Sequence, residues 1–548
     1  MAVLRRIDLA ALLFAAAVFW TGLGSYGLVE PSDARYGEVA REMFVSGDYL
    51  LPRLAGILHF HKPPLIYWLI CAGYKVFGVS EWGARAALGA LGIILTLVVW
   101  RFAKRHLDEG SAPLAAIILA TSPAVVVAGR MLTTDLLLIT LQTVSLALWY
   151  GLWCGRGGRG SLLVFYTAIG LCFLAKGPVG WLVPGIVIGF FAVLQKGKGG
   201  RKSSWGLGWG IPLVAAVALP WYLYVVSTTP GLLQYFLGDQ LTSRVGGSTG
   251  HVRVWYYYLL VFPALGLPWI LPAMAGARTA WRRQDRVTLF LLIWCLVPPV
   301  FFSLPATKLP LYVLLSYPPI ALLAARGLIE GGKLARYSMI TLAGVLVLAG
   351  VIFIAAGANL LPLELSDLSD MTTADRKFLF LPIAAVMVLG AGMTFAWGRR
   401  SSARGALGVV IALAFLTMWS FSNGNILPFQ SAREMGIQAR DELDKNGGVL
   451  VVYEDFSAGV PFYAEAMPFL VGIKRDLRFE DSAAPERVIT DGAFRSLFTG
   501  SERVLVVTLH RYTGKLRETV VPGAGSHPDF SGPRELGSGG GYVLISNR

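Results

Sequence analysis

Apolar runs of membrane-spanning length alternate with short polar loops over roughly the first 420 residues of the chain. A transmembrane helix needs roughly 20 predominantly apolar residues to cross about 30 Å of hydrocarbon. The pattern predicts spans near residues 9–29, 82–100, 113–129, 136–154, 162–175, 179–194, 205–226, 255–277, 287–304, 309–325, 337–361, 378–397 and 406–421. The predicted fold class is therefore mainly α, a polytopic membrane protein with about 13 transmembrane helices. An odd number of spans and a cytoplasmic N-terminus would place the C-terminus outside.

Two outer segments are predicted to be more than simple connections. Residues 30–81 contain two predicted helices lying along the membrane. The first, "DARYGEVAREMF", has Tyr36, Val39 and Met43 at helical spacing and its charged residues on other faces. The second, Pro64 to Phe77, is too short to span and is predicted to be interfacial. Residues 227–254 are rich in Gly, Ser and Thr, which predicts a mobile loop.

The pattern changes near residue 425. Short β-rich runs, "VLVVY", "RVLVVTL" and "YVLIS", then alternate with Gly, Pro and charged residues. This predicts a small α/β domain over 425–548 on the outer, periplasmic face, after a transmembrane domain over 1–424.

Charge and composition fix the predicted orientation. The chain of 548 residues is 55% hydrophobic and carries a net charge of +15. Most of the excess lies in alternate loops, and Lys and Arg mark loops that stay in the cytoplasm. We therefore predict a multi-pass protein of the bacterial inner membrane and no nucleic-acid partner. The four cysteines show no spacing typical of metal or disulfide sites.

Two aspartates at the predicted outer surface are candidates for chemistry. Asp33 follows the first span, and it is either a helix cap or a functional carboxylate if Ser32 supplies the cap. Asp135 opens a later span, where capping is again possible. Charged groups at the edge of a bundle usually face a cavity or a partner, because exposure to lipid is costly.

Six basic residues lie on the outer side, against the positive-inside trend. Snorkelling explains some of them, but Lys176 and Lys308 lie in tight turns with little loop in which to reach water. A ring of cations at the membrane surface suits a lipid phosphate, which Arg binds bidentately and Lys as a point charge. The set, which predicts a phosphorylated lipid as substrate, is Arg35, Lys62, Arg130, Lys176, Arg253 and Lys308.

Histidines and tyrosines complete the list of candidates. His59, His61 and His251 could supply imidazole ligands to a divalent metal such as zinc, with Glu30 or an aspartate completing the site. Most outer tyrosines, Tyr36 among them, belong to the interfacial belt. Tyr312, which follows Lys308 and Pro310, is the one that we single out.

Taken in order, several motifs resemble those of a known family. The chain is similar to the bacterial lipid A aminoarabinose transferases of the ArnT type and to the related protein O-mannosyltransferases. The similarity lies in "EPSDARYGEVAREM", "HFHKPPLIYW", "TTDLLL", "AKGPVGWLVP", "LPWYLYV" and "FFSLPATKLPLYVLLSYPPIALL".

The resemblance implies a membrane glycosyltransferase of the GT-C fold that uses a polyprenyl-phosphate-linked sugar. It implies catalytic roles for Asp33 and Asp135, and contacts to the donor from Lys62, Arg253, Lys308 and Tyr312. It also implies a metal near "FHKP", for which we name His61 and His251. His61 stands where the family commonly has Glu, and Ala34 follows Asp33 where an acidic pair is usual. Both departures weaken the prediction of the sugar.

Three functions therefore remain open. The first is transfer of 4-amino-4-deoxy-L-arabinose from undecaprenyl phosphate to a phosphate of lipid A. The second is transfer of another sugar to a secreted protein or other envelope glycan. The third, a lipid-sugar flippase, is disfavoured because no half-to-half repeat is visible and the charges cluster at one surface.

Overall fold

The computed structural model describes residues 2–196, 205–242, 252–282, 285–360, 372–424, 430–473, 486–520 and 532–548. Within these ranges, nine helices are long and apolar enough to cross a membrane, and a bent pair makes a tenth candidate. The nine are Glu81–His106, Thr134–Trp153, Arg159–Lys176, Leu207–Thr228, Arg286–Ser303, Pro310–Glu330, Lys333–Gly357, Thr373–Gly398 and Ser402–Ser422. The protein is therefore a polytopic membrane protein, mainly α, as predicted. The count of 13 spans stays a prediction.

Several predicted spans are shorter or broken. The first helix, Ala2–Trp20, begins before the predicted span and ends well before residue 29. The span predicted at 113–129 is two short helices, Ser111–Ala120 and Pro123–Ala128. The one predicted at 255–277 is the bent pair Tyr257–Gly266 and Ile270–Arg282, whose axes differ by 96° at Pro268. Proline explains both breaks, because it lacks a backbone donor and disfavours helix in the residue before it.

Both predicted outer helices are present. The first outer helix is Ser32–Ser46, and the second outer helix is Leu65–Phe77. Between them, strands β1 (Arg53–Leu54) and β2 (Ile57–Leu58) form a hairpin. Its turn residues Ala55 and Gly56 have positive φ angles of 53° and 78°. Glu42 of the first outer helix accepts hydrogen bonds from both turn N–H groups, at 2.5 and 3.0 Å.

The first outer helix is buried on nearly every face by other parts of the chain, and its predicted position along the membrane surface stays a prediction. Glu38 and Arg41 form a two-point ion pair, at 2.7 and 2.8 Å, with both side chains buried. Burial of a charge is tolerated when it is paired and hydrogen-bonded. The second outer helix and the helix Gly459–Ala464 both pack against the first outer helix.

The segment predicted as a mobile loop is partly helical. The helix Leu207–Thr228 extends into it, and helical turns follow over Leu232–Gln234 and Tyr235–Thr242. Residues 243–251 lie outside the described part of the chain.

The C-terminal part contains a six-stranded sheet flanked by helices. Its strands, β3 (Val449–Tyr453), β4 (Phe469–Val471), β5 (Val488–Ile489), β6 (Val504–Leu509), β7 (Arg534–Gly539) and β8 (Tyr542–Ser546), have the order β5-β4-β3-β6-β8-β7. The first four strands in that order run parallel to one another. Strand β8 pairs antiparallel with β6, and β7 pairs antiparallel with β8. Helices Arg433–Asn446 and Gly459–Ala464 cover one face, and helices Asp491–Thr499 and Thr513–Thr519 cover the other. The domain boundary at 424/425 stays a prediction.

This sheet domain is attached to the first outer segment by polar contacts. Oε1 of Glu30 accepts hydrogen bonds from Ser457 Oγ and from the Gly459 N–H, both at 2.6 Å. The Tyr463 hydroxyl accepts from Leu28 N at 2.7 Å and donates to Glu81 at 3.1 Å. Burial is the main reason that the pKa of Glu30 is raised to about 7.

The raised pKa predicts a pH dependence of stability. Between the ordinary value of 4.5 and about 7, the folded protein binds more protons at Glu30 than the unfolded chain does. The free energy of unfolding should therefore fall as the pH rises through this window. Thermal unfolding of the purified wild type and Glu30→Gln should show the wild type losing Tm relative to the variant as the pH rises. Parallel Tm curves would contradict the assignment.

A glycine contact predicts a second effect on stability. A Cβ on Gly73 of the second outer helix would lie 2.1 Å from the carbonyl oxygen of Gly83, on the helix Glu81–His106. The backbones of these two helices are therefore in direct contact. Gly73→Ala should destabilise the protein by about 1–3 kcal/mol, the usual cost of overpacking. Gly151→Ala is the matched control, because a Cβ there meets nothing within 4 Å. Equal Tm values for the two variants would exclude this packing.

Candidate active site

Two predicted site residues of the first outer segment lie near the imidazole of His59, and a third packs against a neighbouring tyrosine. The positive charges of Arg35 and Lys62 both act on His59. The rings of Tyr36 and Tyr67 are 5.7 Å apart, centroid to centroid, and Tyr67 lies on the second outer helix. The positive charge of Arg35 also acts on the Tyr67 hydroxyl, whose pKa it lowers against the larger, opposite effect of burial. We call Arg35, Tyr36, His59, His61 and Lys62 the first-loop cluster.

The imidazole of His59 is neutral at physiological pH. Its side chain is buried, and Nε2 has no hydrogen-bond partner among the described residues. Burial first, and then the charges of His61, Arg35 and Lys62, hold the pKa of His59 well below 6.5. Arg35 and Lys62 give the cluster two positive charges, which suits an anionic ligand.

Asp33 lies at the start of the first outer helix with its carboxylate fully buried. Oδ1 accepts a hydrogen bond from Leu132 N at 2.5 Å, and Oδ2 accepts from Val29 N at 3.2 Å. Oδ2 also pairs with the guanidinium of Arg85. Pro31 is the N-cap residue of the helix and no side chain caps it, so the capping interpretation is wrong. Asp33 holds the outer segment to two other parts of the chain, and its contact with a sugar stays a prediction.

Arg85 is the residue that sequence reasoning missed. It lies on the spanning helix Glu81–His106, is fully buried, and stacks 3.9 Å from the ring centroid of Tyr26. Its guanidinium donates to the carbonyl oxygens of Leu23, Tyr26 and Gly27, each at 2.9 Å, besides Asp33. A lone arginine inside an apolar run was the available signal, because such a charge usually has a partner within the bundle.

Arg130 is placed away from the first-loop cluster. It is 1% exposed, and its guanidinium donates to the carbonyl oxygens of Val18 and Thr21, at and just beyond the end of the first helix. It also lies over the ring of Phe421, 4.8 Å from the centroid. A cation is favoured at a helix C-terminus, where the last carbonyls lack helical partners. These contacts describe a structural role, and binding of a substrate by Arg130 stays a prediction.

Asp135, Lys176 and Tyr312 form a second group, brought together from distant parts of the chain. Asp135 Oδ1 lies 2.5 Å from Lys176 Nζ, and that nitrogen lies 4.9 Å from the ring centroid of Tyr312. Thr133 caps the helix through its hydroxyl, so Asp135 is not the cap. A cavity of about 20 Å³ beside the three, also lined by Gln142, has room for about one water molecule. Unlike Asp33, Asp135 keeps 16% of its side chain exposed.

Arg253 and Lys308 meet through the backbone. Lys308 is 3% exposed, and its ammonium donates to the carbonyl oxygens of Pro305, at 2.5 Å, and Arg253, at 3.2 Å. The Arg253 N–H returns a bond of 3.1 Å to the carbonyl of Ala306, while its side chain is exposed. Lys308 therefore links the backbone at Arg253 to the turn that precedes Tyr312. A phosphate contact from either residue stays a prediction.

Apolar packing connects these groups into one region. Leu58 and Phe60, which flank His59, share a buried cluster with Leu174 on the helix that ends at Lys176. On the other side, the Tyr258 hydroxyl donates to the carbonyl of Leu309 at 2.7 Å, between Lys308 and Tyr312. These contacts link the segment around His59 to Lys176, and the segment around Tyr258 to the turn that holds Lys308.

The predicted metal site finds little support. Among the described residues, no group of three or more His, Cys, Asp or Glu side chains could hold a metal ion. The rings of His59 and His61 are 4.3 Å apart, centroid to centroid. His251, the other predicted ligand, lies outside the described residues. The described donors do not fit a divalent ion, and a metal stays a prediction.

The comparisons with known proteins agree with this class of fold. A family model described as dolichyl-phosphate-mannose-protein mannosyltransferase matches residues 61–224, which include Lys62, Asp135 and Lys176. A crystal structure of ArnT from Cupriavidus metallidurans bound to undecaprenyl phosphate superposes with a TM-score of 0.83 and covers 98% of both chains, at 23% identity. The chain therefore has the ArnT fold.

The named relatives are sugar transferases. The chain is 31% identical over 361 residues to an undecaprenyl phosphate-alpha-4-amino-4-deoxy-L-arabinose arabinosyl transferase of Pseudomonas fluorescens, covering 64% of this chain and 65% of the relative. The transferase of that name from Pseudomonas aeruginosa is 31% identical over 341 residues, covering 60% of each chain. The aligned part thus spans less than two thirds of these relatives. The resemblance predicted from the sequence is confirmed.

The buried ion pair makes a prediction about stability. Arg85→Met should lower the free energy of unfolding by about 3–5 kcal/mol, because it leaves the buried Asp33 carboxylate without its counter-charge. The double variant Arg85→Met/Asp33→Asn should lose less than the sum of the two single losses. Arg440→Met removes the exposed pair with Glu465 and should cost at most about 1 kcal/mol. Thermal unfolding of the four purified variants checks this, and additive losses would show that the pair is not coupled.

Proposed function

We propose that this protein transfers 4-amino-4-deoxy-L-arabinose from undecaprenyl phosphate to a phosphate of lipid A. The reaction would take place on the periplasmic face of the bacterial inner membrane, with the basic loops in the cytoplasm. One observation carries the proposal. In a chain with the ArnT fold, Arg35 and Lys62 lie near enough to the buried His59 for their charges to lower its pKa. The sugar and the lipid are those in the names of the relatives.

The cations would bind the phosphate of the donor. Arg35 and Lys62 lie on an outer segment that packs against the helix ending at Lys176, so three positive charges line this region. Arg253, exposed beside the turn of Lys308, would add a further contact. Cations placed where charge develops on a leaving phosphate lower the barrier more than they strengthen binding.

The reaction balances without a redox partner. A phosphate oxygen of lipid A attacks the anomeric carbon of the sugar and forms the new carbon–oxygen bond. The bond from that carbon to undecaprenyl phosphate breaks, and the leaving phosphate takes the electron pair. An ionised phosphate has no proton to lose, so little help from a general base is needed. Positive charge builds on the sugar ring in the transition state, and a carboxylate stabilises it.

Of the two proposed catalytic aspartates, Asp135 is the better placed to meet a ligand. Its carboxylate borders a cavity and retains some exposure, whereas Asp33 is fully enclosed by Arg85, Leu132 and Val29. We infer that Asp33 acts mainly as a positioning residue, which fixes the segment before Asp135 through Leu132 N. Direct action of Asp33 on the sugar would require that enclosure to open.

A second function, transfer of another sugar to a secreted protein or envelope glycan, rests on the match to the mannosyltransferase family model. A hydroxyl acceptor would need a general base, and Asp135 is the candidate. A flippase is disfavoured, because the charged groups of the described site lie at helix ends and not at the membrane midplane.

Lipid A mass spectra test the function. Cells that lack the protein should show no pentosamine-sized increment on lipid A, and wild-type protein should restore it. Lys62→Ala should reduce the increment at least about 100-fold, as loss of a transition-state donor does. Lys75→Ala is the control, because Lys75 is an exposed cation at the end of the second outer helix.

Other outcomes would revise the proposal in defined ways. A different mass increment would identify another donor sugar, and unchanged lipid A would transfer the search to other envelope acceptors. Full activity of Lys62→Ala in correctly inserted protein would overturn the role of the first-loop cluster.

A further inference from the structure

A second cavity lies far from the candidate active site. It has a volume of about 180 Å³ and lies between the helices Glu81–His106, Thr134–Trp153 and the start of Arg159–Lys176. Gly151, on its wall, is about 24 Å along the helix axis from Asp135, at a rise of 1.5 Å per residue. The cavity therefore belongs to the opposite end of the bundle, beside the basic loops.

The cavity is apolar inside and basic at one end. Val98, Phe102, Val144 and Leu148 form apolar walls, and the guanidinium-bearing residues Arg101, Arg105 and Arg156 line it as well. All three arginines are exposed. An apolar cavity with cations at one end matches a ligand that has an anionic group attached to a hydrocarbon chain.

The positions and charges of these arginines support such a ligand. Arg156, in the loop before the helix Arg159–Lys176, reaches back so that Nη1 donates to the Arg105 carbonyl and lies 3.5 Å from His106 Nδ1. The neighbouring Lys104 instead pairs with Asp8 at 2.5 Å. Within the described part of the chain, no ion pair joins Arg101, Arg105 or Arg156 to a carboxylate.

General effects explain part of this arrangement. Basic residues at the inner ends of spans hold loops in the cytoplasm, and cations are favoured near a helix C-terminus. Both effects apply to Arg101 and Arg105 at the end of their helix. Neither effect requires an apolar cavity between these helices, and neither requires the hydrogen bond from Arg156 to the carbonyl of Arg105.

The surface that continues from the cavity identifies the kind of hydrocarbon. Along the same helices, Leu97 is 40%, Leu163 is 51% and Val164, which lines the cavity, is 49% exposed. In a membrane protein such a surface faces acyl chains. Basic pockets between transmembrane helices on the cytoplasmic side are suited to anionic lipid headgroups.

We propose that this cavity binds an anionic phospholipid of the cytoplasmic leaflet. The lipid phosphate contacts Arg101, Arg105 and Arg156, and an acyl chain lies against Val98, Val144 and Val164. The proposal rests on the orientation given above and is independent of the transfer reaction, because the cavity shares no residue with the candidate active site.

Native mass spectrometry of the full-length protein tests the site. The protein is reconstituted in phosphatidylcholine nanodiscs that contain a minor fraction of phosphatidylglycerol, and the lipids that remain bound after release are identified. Wild-type protein should retain phosphatidylglycerol in preference to phosphatidylcholine. The triple variant R101Q/R105Q/R156Q should retain it at least about tenfold less, because three phosphate contacts are lost.

Two further variants separate the cavity from general surface charge. The triple variant R399Q/R400Q/R404Q removes the same charge from the junction of the helices Thr373–Gly398 and Ser402–Ser422, another basic segment predicted to be cytoplasmic. This variant should retain the lipid as wild type does. Ala147→Phe fills the cavity with all three arginines intact, and it should lose the lipid.

Three results would overturn the proposal. They are equal loss in both triple variants, undiminished retention in a folded Ala147→Phe protein, and displacement of the lipid by inorganic phosphate alone, which would indicate a free-phosphate site. Size-exclusion profiles establish that each variant is folded.

Discussion

The outer half of this protein depends on the buried ion pair between Arg85 and Asp33. A guanidinium has five donors in a planar fork, and the two terminal nitrogens of Arg85 donate to three backbone carbonyls of residues 23–27 and to the carboxylate. The chain leaves its first helix at Trp20 and must turn back before the first outer helix, which leaves carbonyls without helical partners. One side chain satisfies those carbonyls and neutralises Asp33, which in turn holds Leu132. A lysine, with a compact ammonium, cannot span the same set of acceptors.

The C-terminal domain continues this network. Glu30 and Leu28, on the segment that Arg85 holds, bind the chain around Ser457 and the hydroxyl of Tyr463. The first outer helix is consequently enclosed from two sides, which explains why its charged residues are buried and paired. Arg35 and Tyr36 of the first-loop cluster lie on this helix, and His59, His61 and Lys62 follow the hairpin that Glu42 holds. The positions of Arg35 and Lys62 therefore follow from contacts made well away from any ligand.

Charge divides the molecule into two ends with different chemistry. At the end predicted to be outer, Lys176 is paired with Asp135 and lies near Tyr312. The charges of Arg35 and Lys62 act there on the neutral imidazole of His59. At the other end, arginines border an apolar cavity. Both ends present cations next to hydrocarbon, as expected of a protein whose proposed ligands are amphipathic phosphates. They differ because Lys176 is paired with a carboxylate, whereas the three arginines of the cavity have no carboxylate partner among the described residues.

The sequence alone determined the class of the protein, because the membrane imposes a strong and local constraint. Apolar runs, basic loops and the β-rich C-terminal part predicted a polytopic helical protein with an α/β sheet, and ordered motifs predicted the ArnT fold. Charges beside spans are rare, which made Lys62, Asp135 and Lys176 candidates for the site, and Tyr312 was a candidate because it follows Lys308. Only the tertiary structure decided which charges serve the fold and which line a cavity. Arg85 passed unnoticed, and the contacts of Arg130 and Lys308 with backbone carbonyls could not be foreseen, because partners such as Val18 and Arg253 lie in distant segments. The same holds for the enclosed carboxylate of Asp33, because its donors Arg85 and Leu132 come from distant parts of the chain.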